Sequence, residues 1–166
     1  TMAPQACAIK DIRVSEAHQP FFLHYDHHDL GDEPFGYMVE NRHIRMALYS
    51  AINDSENVSI VAPVEIATID RSKSQVMVTL KNKTVYQSPL LIAADGRRSR
   101  IRADAGIRVT QWNYKQTGIV CTVQHRKPHH GIAHEHFLPV GPFAILPLVD
   151  NHSSLVWVES NETAPI

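Results

Sequence analysis

The sequence predicts an α+β fold, and three observations carry that prediction. After Gly106 the chain offers only strand-like runs, at 118–124, 134–138, 143–148 and 154–159, joined by Pro-, His- and Gly-rich turns with no helical spacing between them. These read as an antiparallel sheet. Before them, Ile44, Met46, Ala47, Leu48, Ala51 and Ile52 recur at helical spacing. Between the two, Leu90-Leu91-Ile92-Ala93-Ala94 is an apolar run without alternation, which reads as a short strand buried on both faces, as in a parallel sheet between helices.

Taken in order, residues 8–14 and 21–25 are rich in β-branched and aromatic side chains and read as two strands, with Pro20 closing the polar stretch between them. A turn-forming loop covers 29–34. The helix of 42–52 follows, with Asn41 as a plausible N-cap and Asn53-Asp54 as its end. Residues 58–61, 64–69, 75–80 and 84–86 read as short strands, the last three forming a meander with polar turns at 70–73 and 81–83. The run at Leu90 then ends abruptly at Asp95-Gly96, a turn signal. Ser99 can cap a short helix that carries Arg100 and Arg102 and stops at Gly106.

Composition narrows the classes. With 43% apolar and 20% charged residues the 166-residue chain is ordinary globular protein. Sixteen basic against seventeen acidic residues leave a net charge of −1, so no global field favours nucleic acid or an anionic surface. The two cysteines, Cys7 and Cys121, form no Cys-x-x-Cys pair and fit a reducing compartment. No apolar run is long enough to cross a bilayer, and no signal peptide is visible, so the expected location is the cytoplasm, free or peripheral to a membrane.

The order of buried strand, acidic turn and arginine-bearing helix start suits a nucleotide. A carboxylate at the end of a strand accepts hydrogen bonds from ribose, and free N–H groups at a helix start hold phosphate. Asp95, Gly96, Ser99 and Arg102 are therefore the candidate contacts. The plain alternative is an Asp-Gly turn with a solvated Arg102.

The spacing Asp95-Gly96, then Ser99, then Arg102 resembles the "DG" motif of the FAD-dependent aromatic hydroxylases, the flavoprotein monooxygenases. Two more stretches resemble the ubiquinone-biosynthesis branch of that family. One is Gly36-Tyr37-Met38-Val39-Glu40-Asn41-Arg42-His43-Ile44, where the resemblance implies that Asn41, otherwise a simple helix cap, faces the flavin. The other is Phe137-Leu138-Pro139-Val140-Gly141-Pro142 with Ala144, Leu146 and Pro147 after it. Spaced matches in the family's order weigh more than one, and they cover most of residues 35–150.

The resemblance implies an interleaved architecture. Residues 1–35 and 109–166 would form the substrate-domain β-sheet. Residues 36–108 would be the middle of a glutathione-reductase-like FAD-binding α/β domain, incomplete here. It places a Gly-rich fingerprint ahead of Thr1 and a further FAD motif beyond Ile166. The seven glycines include no G-x-G-x-x-G, so the chain reads as an internal piece. The implied chemistry uses FAD, NAD(P)H and dioxygen to hydroxylate the ring of a polyprenyl phenol. The flavin supplies the chemistry, the protein positions the ring and excludes water, and no catalytic side chain is assigned.

Trp112, Tyr114, Phe137, Phe143 and Trp157 could line a pocket for such a ring and its tail, although each alone is more simply core. The eleven histidines show no ligand spacing with a Cys pair or an H-E-x-x-H helix, so they read as solvated loop residues and no metal is expected. The competing class is a non-catalytic β-rich binding or assembly module of a quinone-synthesis complex, for which Asp95-Gly96 is only a turn. The resemblance also makes a prediction about this chain: it should not hold FAD tightly by itself. A purified sample that stays yellow, with FAD retained through gel filtration, would overturn this.

Overall fold

Strand-forming segments from the two ends of the chain meet in one sheet. The computed structural model describes residues 3–164. It divides into two compact units, one made of the chain up to Ser55 together with the stretch from Asn113 onward, the other Glu56–Trp112.

In the first unit the early strands are β1 (Cys7–Ile9), β2 (Asp11–Glu16), β3 (Phe22–Asp26) and β4 (Gly36–Met38), followed by helix α1 (Asn41–Asn53). The stretch expected as one strand over 8–14 is broken at Lys10. There the backbone N–H donates to the Gly131 carbonyl at 2.9 Å and the carbonyl accepts from His27 N–H at 3.1 Å, so the chain changes partners. β1 pairs with β4 in a small sheet of its own, which packs against β10 (Pro142–Leu148), one of the later strands.

Those later strands are β8 (Gln116–Gln124), β9 (Ile132–Phe137), β10 and β11 (His152–Ser160). With β2 and β3 they form a six-stranded sheet in the order β3-β2-β9-β10-β11-β8. The expected antiparallel sheet is present with one exception, because β2 runs parallel to β9. Parallel neighbours cannot be joined by a tight turn, and here more than a hundred residues of chain separate them. The β10–β11 hairpin, by contrast, closes tightly through Asp150 and Asn151. Both have positive φ (58° and 54°), the conformation of a type I′ turn and one that Asp and Asn tolerate.

The second unit is the meander foreseen from the sequence, β5 (Ile66–Arg71), β6 (Val76–Leu80) and β7 (Val85–Ser88), with helix α2 (Arg100–Asp104) after it. Residues 58–61 form no strand. Nor does the run Leu90–Ala94, where Leu90 is 69% and Ile92 77% exposed. A strand buried on both faces needs ladders on its edges, and no described segment pairs with this one. Its first residue is held instead by the Ser88 hydroxyl, which bonds both the N–H and the C=O of Leu90.

The helix at 41–53 forms as its spacing predicts, but Asn41 is its first residue and not its cap. Glu40 occupies the cap position with no side-chain cap bond. Met46, Leu48 and Tyr49 stay exposed on this helix. The buried side chains of the large sheet include Ala133, Ala144, Leu148, Pro147 and Ser153.

Gly131 makes a close approach that only glycine allows. Its φ is +73°, and a Cβ would lie 2.8 Å from the Ala8 carbonyl oxygen, a backbone atom that cannot swing aside. Gly131→Ala is expected to destabilise the sheet-containing unit by about 2 kcal/mol, from positive-φ strain plus the clash. Denaturant unfolding measures it, and a change below about 0.5 kcal/mol, within the range of ordinary surface substitutions, would refute the close-approach account.

Candidate functional site

The candidate nucleotide contacts of the second unit converge on one turn. Gly96 turns the chain with φ +84°, and space around its missing Cβ is open. The Ser99 N–H then donates to the Gly96 carbonyl at 3.0 Å, bringing the Ser99 side chain back over Asp95. The Ser99 hydroxyl donates to Asp95 Oδ1 at 2.5 Å and accepts from the Arg102 N–H at 2.9 Å, the hydrogen bond of an N-cap. Asp95 Oδ2 accepts from the Ile101 N–H at 3.2 Å. Arg102 reaches back so that its guanidinium donates to the Arg97 carbonyl at 2.8 Å.

The Asp95 carboxyl consequently sits below its usual range. The Ser99 hydroxyl is the main cause, with backbone N–H groups at the helix start adding to it. One sequence expectation changes here. The N–H groups at this helix start are not free for phosphate, because Asp95 and Ser99 already accept from those of Ile101 and Arg102. The helix ends as foreseen, with Gly106 at φ +71° and its N–H on the Ala103 carbonyl.

Gly96, Ser99 and Arg102 border a cavity of about 460 Å³ whose wall also includes Leu91, Ile107 and Arg71. Sequence reasoning placed Arg71 in a turn. It is instead the last residue of β5, paired with Val76, and only that register reveals it as a second cation beside the motif. Asn41 belongs to the other unit and lies exposed at the start of α1.

In the first unit the strand registers sort the aromatic and titratable side chains. One sheet face carries Asp11, Arg13 and Ser15, then His134 and His136, then Phe143 and Ile145, and finally Leu155 and Trp157. In its polar half His24 Nε2 lies 2.9 Å from Asp11 Oδ2 and Ser15 Oγ 2.7 Å from His136 Nδ1, while Asp11 Oδ1 and Arg13 Nε are buried without partners. His134 titrates below its usual range because burial disfavours its charged form and Arg13 adds to this. In the apolar half Phe143 and Trp157 meet edge to face at 6.5 Å.

Phe137 and Tyr114 of this unit are not part of that edge-to-face pair, and Trp112 belongs to the second unit. Phe137 pairs with Pro142 on the opposite face, and Trp112 and Tyr114 are 67% and 73% exposed. The histidines are also less solvated than expected. His27 is buried, His125 contacts Ser153 Oγ at 3.1 Å, and His129 Nε2 lies 2.7 Å from the Leu148 carbonyl.

Because Ser99 both caps α2 and holds Asp95, Ser99→Ala should cost about 1 kcal/mol of stability, the usual loss for an N-cap. It should also let the Asp95 carboxyl titrate higher, toward an unperturbed aspartate. The sign is that of a depressed carboxylate: its contribution is present above the unfolded pKa and is lost as pH falls through the folded one. Carboxyl NMR titration of both forms checks this, and an unchanged Asp95 would refute the assigned cause.

No family model matches the chain. Individual proteins do. It is 43% identical over 157 residues to the ubiquinone hydroxylase UbiL of Rhodospirillum rubrum, covering 95% of this chain and 36% of that protein. It is 35% identical over 168 residues to the human mitochondrial ubiquinone biosynthesis monooxygenase COQ6, covering 95% of this chain and 35% of that protein. The crystal structure of Klebsiella pneumoniae HpxO complexed with FAD and uric acid superposes with a TM-score of 0.74 at 14% identity, over 94% of this chain and 41% of that one. The chain thus spans about a third of the length of the curated relatives it matches. Over nearly its whole length it is homologous to the ubiquinone-biosynthesis hydroxylases, in a fold shared with FAD-dependent monooxygenases.

Proposed function

We propose that the intact protein is a flavin-dependent monooxygenase that hydroxylates the aromatic ring of a polyprenyl phenol in ubiquinone biosynthesis, using FAD, NAD(P)H and dioxygen. The observation that carries this reading is the Asp95–Arg102 turn, folded as one bonded unit in a chain 43% identical to a ubiquinone hydroxylase. In this reading residues 36–108 are the middle of the FAD-binding domain. Residues 1–35 and 109–166 belong to the substrate domain.

The residues fit FAD at a ribose better than at a phosphate. Asp95 is exposed, and its carboxylate keeps lone pairs beyond those facing Ser99 and Ile101, enough to accept from a ribose hydroxyl. Gly96 lets a ligand approach bare backbone, and Arg102 keeps guanidinium donors beyond the one on Arg97. Ser99 holds Asp95 in place. Asn41, exposed on α1, is a second polar contact toward the flavin in this reading. When bound, FAD supplies the redox chemistry with dioxygen.

The chain's own contribution to the substrate is a sheet face with an apolar half at Phe143, Ile145, Leu155 and Trp157 beside a half bearing His134 and His136. That pairing suits a ring with a polar substituent and a hydrocarbon tail. Among the described residues no helix is long and apolar enough to cross a membrane. In this reading the protein meets its prenylated substrate at a membrane surface or within a quinone-synthesis complex.

The test uses the full-length protein. It should purify with FAD, and a prenylated phenol should accelerate its oxidation of NADH or NADPH. Asp95→Asn should weaken FAD retention about tenfold, as expected for losing a hydrogen bond to a charged group. A full-length protein with no flavin and no substrate-stimulated oxidation would overturn the proposal.

A further inference from the structure

The corner where β3 ends gathers unsatisfied groups that the proposed chemistry does not use. Asp26 closes the strand, and its Oδ1 accepts from the His28 N–H at 2.9 Å, starting a single 3-10 turn over His27–Asp29. One donor atom from each of Asp26, His27 and His28 lies within 4.8 Å of the other two. The two imidazoles overlap, with ring centroids 3.9 Å apart. His27 is only 7% exposed, yet its Nδ1 has no hydrogen-bond partner.

Directly across the β2–β3 ladder from Asp26 stands Asp11, whose Oδ1 is likewise buried and unpartnered. Its other oxygen is engaged by His24 at 2.9 Å and Arg13 at 3.4 Å. Directly opposed like charges repel, and each buried polar atom without a partner is costly. An imidazole nitrogen without a proton acceptor or donor, two carboxylates face to face and a second histidine at hand are what a bound cation would satisfy.

We propose that Asp26, His27 and His28 form a site for a divalent metal of the zinc class, with the Asp11–His24 pair behind it. Two imidazoles and a carboxylate are the donor set that zinc accepts, leaving a fourth position for water. Asp26 keeps Oδ2 available while Oδ1 holds the turn. Zinc–ligand distances of about 2.1 Å require donors about 3.4 Å apart, so the set closes by a small movement. His28 is exposed and free to make it, whereas His27 is fixed by its backbone N–H on the Lys10 carbonyl. By spacing alone these histidines read as solvated loop residues. The burial of His27 and the registry of Asp11 with Asp26 change that.

The chain is titrated with zinc chloride against a chromophoric chelator, and with cobalt chloride while the visible spectrum is recorded. One zinc per chain is expected, with a rise in thermal midpoint and the absorption bands of cobalt held by nitrogen and oxygen. Asp26→Asn and His28→Gln, which alter half-buried and exposed positions, should each weaken zinc binding at least tenfold. His18→Gln, exposed and outside the cluster, should leave it unchanged. The absence of stoichiometric zinc, or equal binding by wild type, Asp26→Asn and His28→Gln with circular dichroism preserved, would overturn the site.

Discussion

The parallel ladder of β2 on β9 is the constraint on which the first unit depends. Every other pairing in the large sheet joins strands that follow one another closely or belong to the same end of the chain. This ladder, six residue pairs from Asp11–Ile132 to Glu16–Phe137, binds the first strands to the last four. Without it β2 and β3 would be an isolated hairpin, which is marginal in water. It also sets which side chains share a face. Because the pairing period is two, a one-residue slip would move Arg13 and Ser15 away from His134 and His136 and replace them with Ile12 and Val14.

In the second unit the corresponding constraint is local. Asp95, Gly96, Ser99 and Arg102 lie within one short stretch, and the structure spends their polar groups largely on each other. This explains why such a brief helix exists. Five residues of α2 lie far below the length at which a helix holds itself, and Ser99 and Asp95 supply acceptors that the first turn lacks. The same bonds that make the turn rigid keep the Asp95 carboxylate ionised and exposed on one side. A ligand would therefore meet an organised turn, not a loop that must be ordered on binding.

What the sequence made legible follows from the range of each interaction. Ser99 as a cap, Gly106 as a stop, Gly96 as a positive-φ turn and the strands over 116–160 all rest on signals contained within a few residues, and they appear where expected. The failures depended on partners distant in sequence. Leu90–Ala94 has the composition of a buried strand, but burial requires neighbours, and none is paired with it. The break at Lys10 was invisible because β propensity continues through it. Only the carbonyl of Gly131 and the N–H of His27 reveal the change of partner. Asn41 failed for a narrower reason: a cap and the first helical residue differ by one position, and Glu40 already has the extended backbone of the cap.

The same distinction governs the functional residues. The Asp95 turn was readable because its hydrogen bonds are local. Arg71, the polar and apolar halves of the sheet face and the Asp11–Asp26 opposition were not readable, since each is created by register. Charge placement makes the last of these the most informative. A cross-strand pair of carboxylates is disfavoured in a sheet whose register is otherwise satisfied, and here His24 and Arg13 lie beside Asp11 alone. Asp26 instead receives the His28 N–H and the field of three nearby histidines, which hold its carboxyl below the usual range. Charge on this edge is therefore balanced largely through imidazoles, groups that can accept a proton or a metal. The corner therefore keeps buried polar atoms without partners, Asp11 Oδ1 and His27 Nδ1, whereas the polar groups of the Asp95 turn are largely bonded to one another.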